Sequence, residues 1–180
     1  MKVLLVGGGG REHALAWKIS QSTLLTKLFI APGNAGTSSF GTNIDITEMD
    51  TEGLLHFVES QDVDLTIVGP EAPLAAGIVD RFSDNNRDIF GPKAGPARLE
   101  SSKSFAKSLM RKWHIPTANS TLFHDHEQAA AHLKQLTTYP TVVKADGLAS
   151  GKGVYICRDE NEAREAIKDL MVNRIFGDAG

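Results

Sequence analysis

Short apolar runs alternate with longer amphipathic runs over the first hundred residues. Nearly continuous apolar runs predict buried parallel strands at residues 2–6, 27–31 and 64–69. The segments "REHALAWKIS", "EGLLHFVES" and "APLAAGIVDRFSD" predict helices, and "DIFG" predicts a short final strand. In the first helix we expect Leu15, Ala16 and Ile19 to form the buried stripe. This alternation predicts right-handed βαβ units and an α/β fold with an open parallel sheet covered on both faces.

The pattern changes after residue 100. The basic segment 101–114 predicts a helix with Phe105, Leu109 and Met110 facing inward, and Pro116 prevents its continuation. Beyond it we expect a strand "STLFH", a helix "HEQAAAHLKQL", a strand "TVVKA", a glycine-rich loop, a strand "GVYICR" and a helix "ENEAREAIKDLMVNRIF". We therefore predict three parts: a domain over 1–100, a linking basic helix over 101–118, and an incomplete α+β unit over 119–180.

Composition narrows the classes of function. The chain has 180 residues, 41% of them hydrophobic, and a formal charge of −3, which gives no general attraction to nucleic acid or an anionic membrane. The single cysteine, Cys157, excludes an internal disulfide and agrees with a reducing compartment. No apolar run is long enough to span a membrane, and the first ten residues lack the pattern of a signal peptide. We expect a soluble cytoplasmic protein that binds small molecules.

The first glycine cluster, "VGGGGREHA", lies between a predicted strand and a predicted helix. Backbone N–H groups of Gly8, Gly9 and Gly10 at a helix N-terminus suit a phosphate, and Arg11 favours that interpretation. The dinucleotide fingerprint does not fit, because its sixth position holds Glu12 or His13 and no acidic residue follows the second strand. A tight turn without a ligand is the alternative.

Two further loops should reach the same edge of the sheet. "APGNAGTSS" follows the second strand and "VGPEAPL" follows the third, and ligands of open α/β sheets bind at the carboxyl ends of strands. Asn34 could bond a sugar hydroxyl and Glu71 could hold an amine. The alternatives are a left-handed turn residue for Asn34 and a solvated helix start for Glu71.

The second glycine cluster, "KADGLASGKGVYI", lies between two predicted strands. It does not match a Walker loop, because it lacks the four-residue gap and Gly153 follows Lys152. A β-hairpin flap that closes over nucleotide phosphates fits better, with Lys144 as a point charge and three glycines giving mobility. The alternative is an exposed hairpin with solubilising lysines.

Several blocks of the chain resemble the glycinamide ribonucleotide synthetase family, also called phosphoribosylamine–glycine ligases, which are ATP-grasp enzymes of purine biosynthesis. The blocks are "VGGGGREHALAWKI", "PGNAGT", "VGPEAPLAAGIVD", "GPKAGPARLESSKSFAK", "YPTVVKADGLASGKGV" and "FGDAG", and they follow the family's order. The resemblance implies a pre-ATP-grasp domain followed by the first part of an ATP-grasp domain. It also implies that ATP phosphorylates glycine and that the amine of 5-phosphoribosylamine attacks the acyl phosphate.

The resemblance also implies two sets of binding residues. The expected ATP-binding residues are Lys103, Lys144, Gly147, Leu148, Ala149, Ser150, Gly151, Lys152 and Gly153, with Ser150 in place of the more usual alanine. The expected substrate-binding residues are Gly8, Gly9, Gly10, Arg11, Asn34, Gly36 and Glu71.

Other parts of the family's active site have no counterpart in these blocks. The resemblance implies ATP with Mg²⁺ or Mn²⁺, but it places the metal ligands, the adenine strand and the glycine pocket beyond residue 180, so this segment alone is expected to be inactive. A non-catalytic binding module for a phosphorylated sugar and an ATP-grasp ligase for another ribotide remain alternatives.

Overall fold

A computed structural model describes residues 1–149 and 151–179 of the chain, which divides into the two units Met1–Arg98 and Leu99–Gly180. In the described part, no helix combines the length and the apolar character needed to cross a membrane.

A five-stranded parallel sheet forms the first unit. Its strands are β1 (Lys2–Gly7), β2 (Lys27–Pro32), β3 (Thr42–Asn43), β4 (Leu65–Val68) and β5 (Ile89–Phe90), in the order β3-β2-β1-β4-β5. All four strand pairs are parallel, so the predicted parallel sheet is confirmed. The central strand is buried on both faces, since Leu4, Leu5 and Val6 are 0% exposed. Two apolar clusters therefore form, one on each side of the sheet.

Four helices lie wholly within this unit, and they are α1 (Gly10–Ile19), α2 (Thr51–Gln61), α3 (Glu71–Ala75) and α4 (Ile78–Asp84). The single helix predicted over "APLAAGIVDRFSD" is observed as α3 and α4. Gly77 separates them because its φ of +92° lies in the left-handed region, where a right-handed helix cannot continue.

The buried stripe of α1 differs from the prediction. Leu15 is 38% exposed, whereas Ala16 is fully buried and Glu12 is only 3% exposed. The inward positions are therefore Glu12, Ala16 and Ile19, which follow the helical spacing i, i+4, i+7. The prediction was wrong for Leu15 because a sequence pattern counts glutamate as an outward residue.

The second unit contains a β-hairpin with helices on one face. After α5 (Ala94–Ser101), which the sequence did not predict, come α6 (Lys103–Lys112), α7 (His126–Leu133), β6 (Thr141–Lys144), β7 (Val154–Cys157) and α8 (Glu160–Met171). Strands β6 and β7 pair antiparallel, as expected for a hairpin. Val143, Tyr155 and Cys157 pack in one apolar cluster with residues of α7 and α8.

The strand predicted at "STLFH" is wrong, because residues 120–124 have no regular secondary structure. Within the described residues β6 pairs with β7 alone, so this segment has no partner strand. The helix that follows begins as expected, with Asp125 accepting a hydrogen bond from the Gln128 N–H at 2.8 Å.

The core of the first unit gives a test of stability. Phe82 is fully buried, so Phe82→Ala should lower the free energy of unfolding of this unit by about 3–5 kcal/mol. Phe90 is 70% exposed, and Phe90→Ala should change it by less than about 1 kcal/mol. Urea denaturation followed through amide signals of residues 1–98 measures both, and equal losses would contradict this packing.

Candidate functional site

Three loops meet at the carboxyl edge of the parallel sheet in the first unit. The Gly33 N–H donates to the Gly7 carbonyl at 3.2 Å, and the Gly69 N–H donates to the Val6 carbonyl at 3.0 Å. These bonds hold the loops after β2 and β4 beside the glycine turn after β1. The three segments that the sequence singled out are therefore neighbours.

The glycine turn is capped by a buried carboxyl group. Gly9 is the N-cap of α1, and its N–H donates to Glu12 Oε2 at 2.6 Å. A glutamate three residues after the N-cap is half of a capping box, and glycine cannot supply the other half because it has no side chain. The Gly9 N–H therefore bonds within the chain in this structure, and its role toward a phosphate stays a prediction.

Glu12 also explains why glycine surrounds it. A Cβ at Gly7 would lie 2.7 Å from Glu12 Cγ, and a Cβ at Gly9 would lie 2.9 Å from Oε2. A Cβ at Gly69 would overlap Oε1. Gly8 faces the Gly33 carbonyl oxygen, which a Cβ would approach to 2.6 Å, whereas a Cβ at Gly10 would meet nothing within 4 Å. Most of these glycines are required by close packing.

The Asn34 side chain ties two of the loops together. Its Nδ2 donates to the Gly8 carbonyl at 2.9 Å, while its Oδ1 accepts the N–H groups of Gly36 at 2.7 Å and Thr37 at 3.1 Å. The left-handed residue in this loop is Gly33, with φ +72°, so a left-handed conformation of Asn34 is wrong, although its side chain does stabilise the turn through Gly36. The role of Asn34 toward a sugar hydroxyl stays a prediction.

Arg11 and Glu71 form an ion pair between the first turns of α1 and α3, with 2.8 Å between Nη2 and Oε2. The hydrogen bond from Arg11 lowers the pKa of Glu71 below its ordinary value. The side chain of Arg11 is 65% exposed and that of Glu71 is 29% exposed, so the pair lies at the rim of the site. Nearby, Gly36 lies against His13, because a Cβ there would come within 2.8 Å of the His13 ring.

The predicted flap of the second unit is a closed hairpin. The Ala145 N–H donates to the Gly153 carbonyl at 2.9 Å, and the Lys152 N–H donates to the Ala149 carbonyl at 2.8 Å. Gly151 needs to be glycine, since its φ is +76°. Leu148 and Ala149 are half-buried, Lys152 is exposed, and Ser150 lies outside the described residues.

Two flap glycines make close contacts. A Cβ at Gly153 would lie 2.7 Å from the Ala149 Cβ, and a Cβ at Gly147 would lie 2.9 Å from the Ala179 Cβ. The Gly147 N–H also donates to the Ala179 carbonyl at 3.2 Å. Close packing therefore explains these two positions, and the expected mobility of the flap stays a prediction.

Lys144 shares one face of the hairpin with apolar side chains. Directly opposed residues of an antiparallel pair lie on the same face, and Lys144 opposes Val154 while Val142 opposes Ile156. All four are exposed, and Ile156 is 70% exposed. The cationic side chain of Lys144 thus lies beside an exposed apolar surface on this face of the hairpin, an arrangement that the sequence analysis did not point out.

Asp146 anchors the flap to α6, and the sequence analysis missed it. Its Oδ1 accepts the Ser104 N–H at 2.6 Å, and its Oδ2 accepts the hydroxyls of Ser104 at 2.8 Å and Ser102 at 3.2 Å. Lys103 Nζ donates to the backbone carbonyls of Gly147 at 3.0 Å and Asp146 at 3.3 Å. Lys103, an expected ATP-binding residue, therefore holds the base of the flap.

A cavity of about 620 Å³ opens beside β6. Its walls are mainly side chains of α7, α8 and the segment 119–124, and of the described residues expected to bind ATP only Lys144 and Gly147 line it. We therefore do not assign the cavity to the nucleotide. Among residues 1–149 and 151–179, no three His, Cys, Asp or Glu side chains lie together in a way that would hold a metal ion.

Asp146 gives a test that depends on pH. Burial raises its pKa, but the hydrogen bonds from Ser104 and Ser102 and the charge of Lys103 outweigh burial and lower the pKa below its ordinary value. A carboxyl with a lowered folded-state pKa stabilises the fold above its unfolded pKa of about 4, and this contribution is lost as the pH falls through the folded pKa.

We expect Asp146→Ala to lower the free energy of unfolding of the second unit by about 1–3 kcal/mol at neutral pH, because three donors lose their acceptor. The difference from wild type should shrink on acidification below about pH 4. Denaturant titrations at several pH values measure it, with the exposed Glu165→Ala as control. A difference that does not change with pH would contradict the role given to the carboxylate.

Comparison with protein families gives two matches in chain order. The family model described as phosphoribosylglycinamide synthetase, N domain, matches residues 1–100, and the one described as its ATP-grasp (A) domain matches residues 101–180. The chain is 50% identical to a phosphoribosylamine–glycine ligase of Escherichia coli K12 and 47% identical to one of Clostridium acetobutylicum. These matches include 100% of this chain and 42% or 43% of the relatives.

Solved structures agree with this result. The phosphoribosylamine–glycine ligase of Thermotoga maritima is 31% identical and superposes with a TM-score of 0.76, covering 97% of this chain and 40% of that one. An N5-carboxyaminoimidazole ribonucleotide synthetase of the same organism, 18% identical with a TM-score of 0.69 over 91% of this chain and 42% of its own, shares the fold. The chain belongs to the phosphoribosylglycinamide synthetase family and spans rather less than half the length of its curated relatives.

Proposed function

We propose that this chain supplies the ribosylamine site and part of the nucleotide site of a phosphoribosylamine–glycine ligase. In this reaction ATP phosphorylates the carboxylate of glycine, and the amine of 5-phosphoribosylamine displaces phosphate from the acyl phosphate. The products are glycinamide ribonucleotide, ADP and phosphate. The observation that carries the proposal is the pair of family matches, which cover both units in the family's order.

The first unit is proposed to bind 5-phosphoribosylamine at the carboxyl edge of its sheet. The contacts of Gly8 with Asn34 and of Arg11 with Glu71 support this, because they bring residues distant in sequence to one place. Open α/β sheets bind ligands at this edge. Gly10 is exposed and a Cβ there would meet nothing within 4 Å, so its backbone is accessible to a sugar.

The second unit is proposed to bind ATP beneath the flap. Lys144 offers a positive charge to the phosphates, and the exposed faces of Val142 and Ile156 offer an apolar surface to the flat adenine or the ribose. Residues 147–153 would cover the phosphates. Hydrogen bonds of Lys103 and Asp146 hold the first residues of this segment against α6, so the position of the start of the flap is fixed.

The proposed reaction requires three contributions from these residues: stabilisation of charge, exclusion of water and orientation of the nucleophile. Lys144 stabilises negative charge on the phosphoryl group in transfer, which is the main requirement of such a reaction. A closed flap excludes water, which would otherwise hydrolyse the acyl phosphate. The sheet edge of the first unit orients the amine of the ribosylamine as a nucleophile.

Mg²⁺ or Mn²⁺ is proposed to accompany ATP and to neutralise phosphate charge. The described residues do not offer a fitting set of His, Cys, Asp or Glu ligands for it. The proposed location is the cytoplasm and the proposed partners are small molecules.

Lys144→Met tests the nucleotide site. This change keeps an unbranched side chain of similar size and removes its charge, so we expect the affinity of the chain for MgADP to fall at least tenfold, or about 1.4 kcal/mol. Lys168→Met on the exposed side of α8 is the matched control and should bind like wild type. Isothermal titration calorimetry measures all three proteins. Equal affinities for wild type and Lys144→Met would refute the proposed role of Lys144.

A further inference from the structure

We propose that Glu12 fills the anion position of the glycine turn with the chain's own carboxylate. The turn then receives the hydroxyl- and amine-bearing end of the ribosylamine, and the phosphate of the ligand lies outside it. This inference rests on the proposed function and states which end of the substrate the turn recognises.

One of the backbone donors that a ligand phosphate would use is already bound. At the N-terminus of a helix after a glycine turn, N–H groups and the helix dipole attract an anion. Here the Gly9 N–H donates to Glu12 Oε2 at 2.6 Å. A phosphate at this place would have to displace the carboxylate from its hydrogen bond.

The carboxylate has little room in which to move aside. Glu12 is only 3% exposed, and Gly7, Gly9 and Gly69 enclose it so closely that a Cβ at any of the three would collide with it. Protein interiors are packed at this density because neighbouring groups are mutually complementary. The absence of side chains at these glycines thus leaves the space that the Glu12 side chain occupies.

The remaining charges and acceptors favour a ligand group that donates hydrogen bonds. No described group donates to the buried Oε1 of Glu12, and Glu71 adds a second carboxylate at the same edge. Arg11, which pairs with Glu71, lies at the exposed rim. A phosphate in the turn would lie beside the carboxylate of Glu12 and is disfavoured by like charge, whereas an amine or a hydroxyl could donate to the partly exposed carboxylate of Glu71.

The sequence position of Glu12 agrees with this interpretation. Counted from Gly7, it is the sixth residue of the glycine cluster, where a dinucleotide-binding turn needs a small residue for close packing of the helix on the strand. A glutamate at this position changes the turn from one that accepts a phosphate to one that carries its own anion.

Amide-resolved titrations test the inference on the 180-residue chain. In wild type, inorganic phosphate should leave the amide signal of Gly9 in place. Ribose 5-phosphate should move the amide signals of Gly8 and Gly10. D-ribose should move the same two signals at a higher concentration. Glu12→Gly removes the internal anion, and phosphate should then move the Gly9 signal with at least tenfold higher affinity than in wild type. Glu48→Gln, elsewhere in the first unit, is the control and should behave like wild type.

A second variant keeps the test decisive if Glu12→Gly does not fold. Glu12→Gln keeps an acceptor for Gly9 but removes the charge, and we expect phosphate to bind it more tightly than wild type. The inference would be overturned if phosphate shifted the Gly9 amide signal of wild type saturably and as strongly as that of either variant. It would also be overturned if D-ribose failed to move the amide signals that ribose 5-phosphate moves. If ribose 5-phosphate moved no amide of residues 1–98, the proposed function of this unit would fail instead.

Discussion

Burial of β1 on both faces is the constraint on which the first unit depends. A strand with Leu4, Leu5 and Val6 completely excluded from water must lie in the interior of a sheet, with helices above and below it. Its two neighbours, β2 and β4, run parallel to it, so all three strands end at the same edge. The loops that carry the candidate substrate residues meet there as a consequence of core packing.

In each unit a carboxylate organises a glycine-rich segment. Glu12 accepts the Gly9 N–H at the start of α1, and Asp146 accepts the Ser104 N–H at the start of α6. Both satisfy backbone donors that a helix leaves unpaired at its N-terminus. The glycine-rich segments are therefore held in defined conformations by side chains that lie beside the residues expected to meet ligands.

Much of the fold could be predicted from the sequence, because apolar periodicity reports burial directly. The parallel sheet and the hairpin follow from runs that are apolar throughout or that alternate, and the approach of Asn34 to Gly8 follows from the parallel order of strands. The rest depended on tertiary contacts. A buried glutamate is invisible to a hydrophobic pattern, and residues 120–124 have strand-like composition but no strand to pair with among the described residues.

Hydrogen–deuterium exchange of the chain with each ligand in turn tests most directly whether two separate loops recognise two different molecules. We expect ribose 5-phosphate to slow exchange in residues 8–11, 34–37 and 69–72 and to leave residues 145–153 unchanged. MgATP should slow exchange in residues 145–153 and leave the three loops of the first unit unchanged. Protection of the same segment by both ligands, or of neither site by its own ligand, would contradict the assignment of one site to each unit.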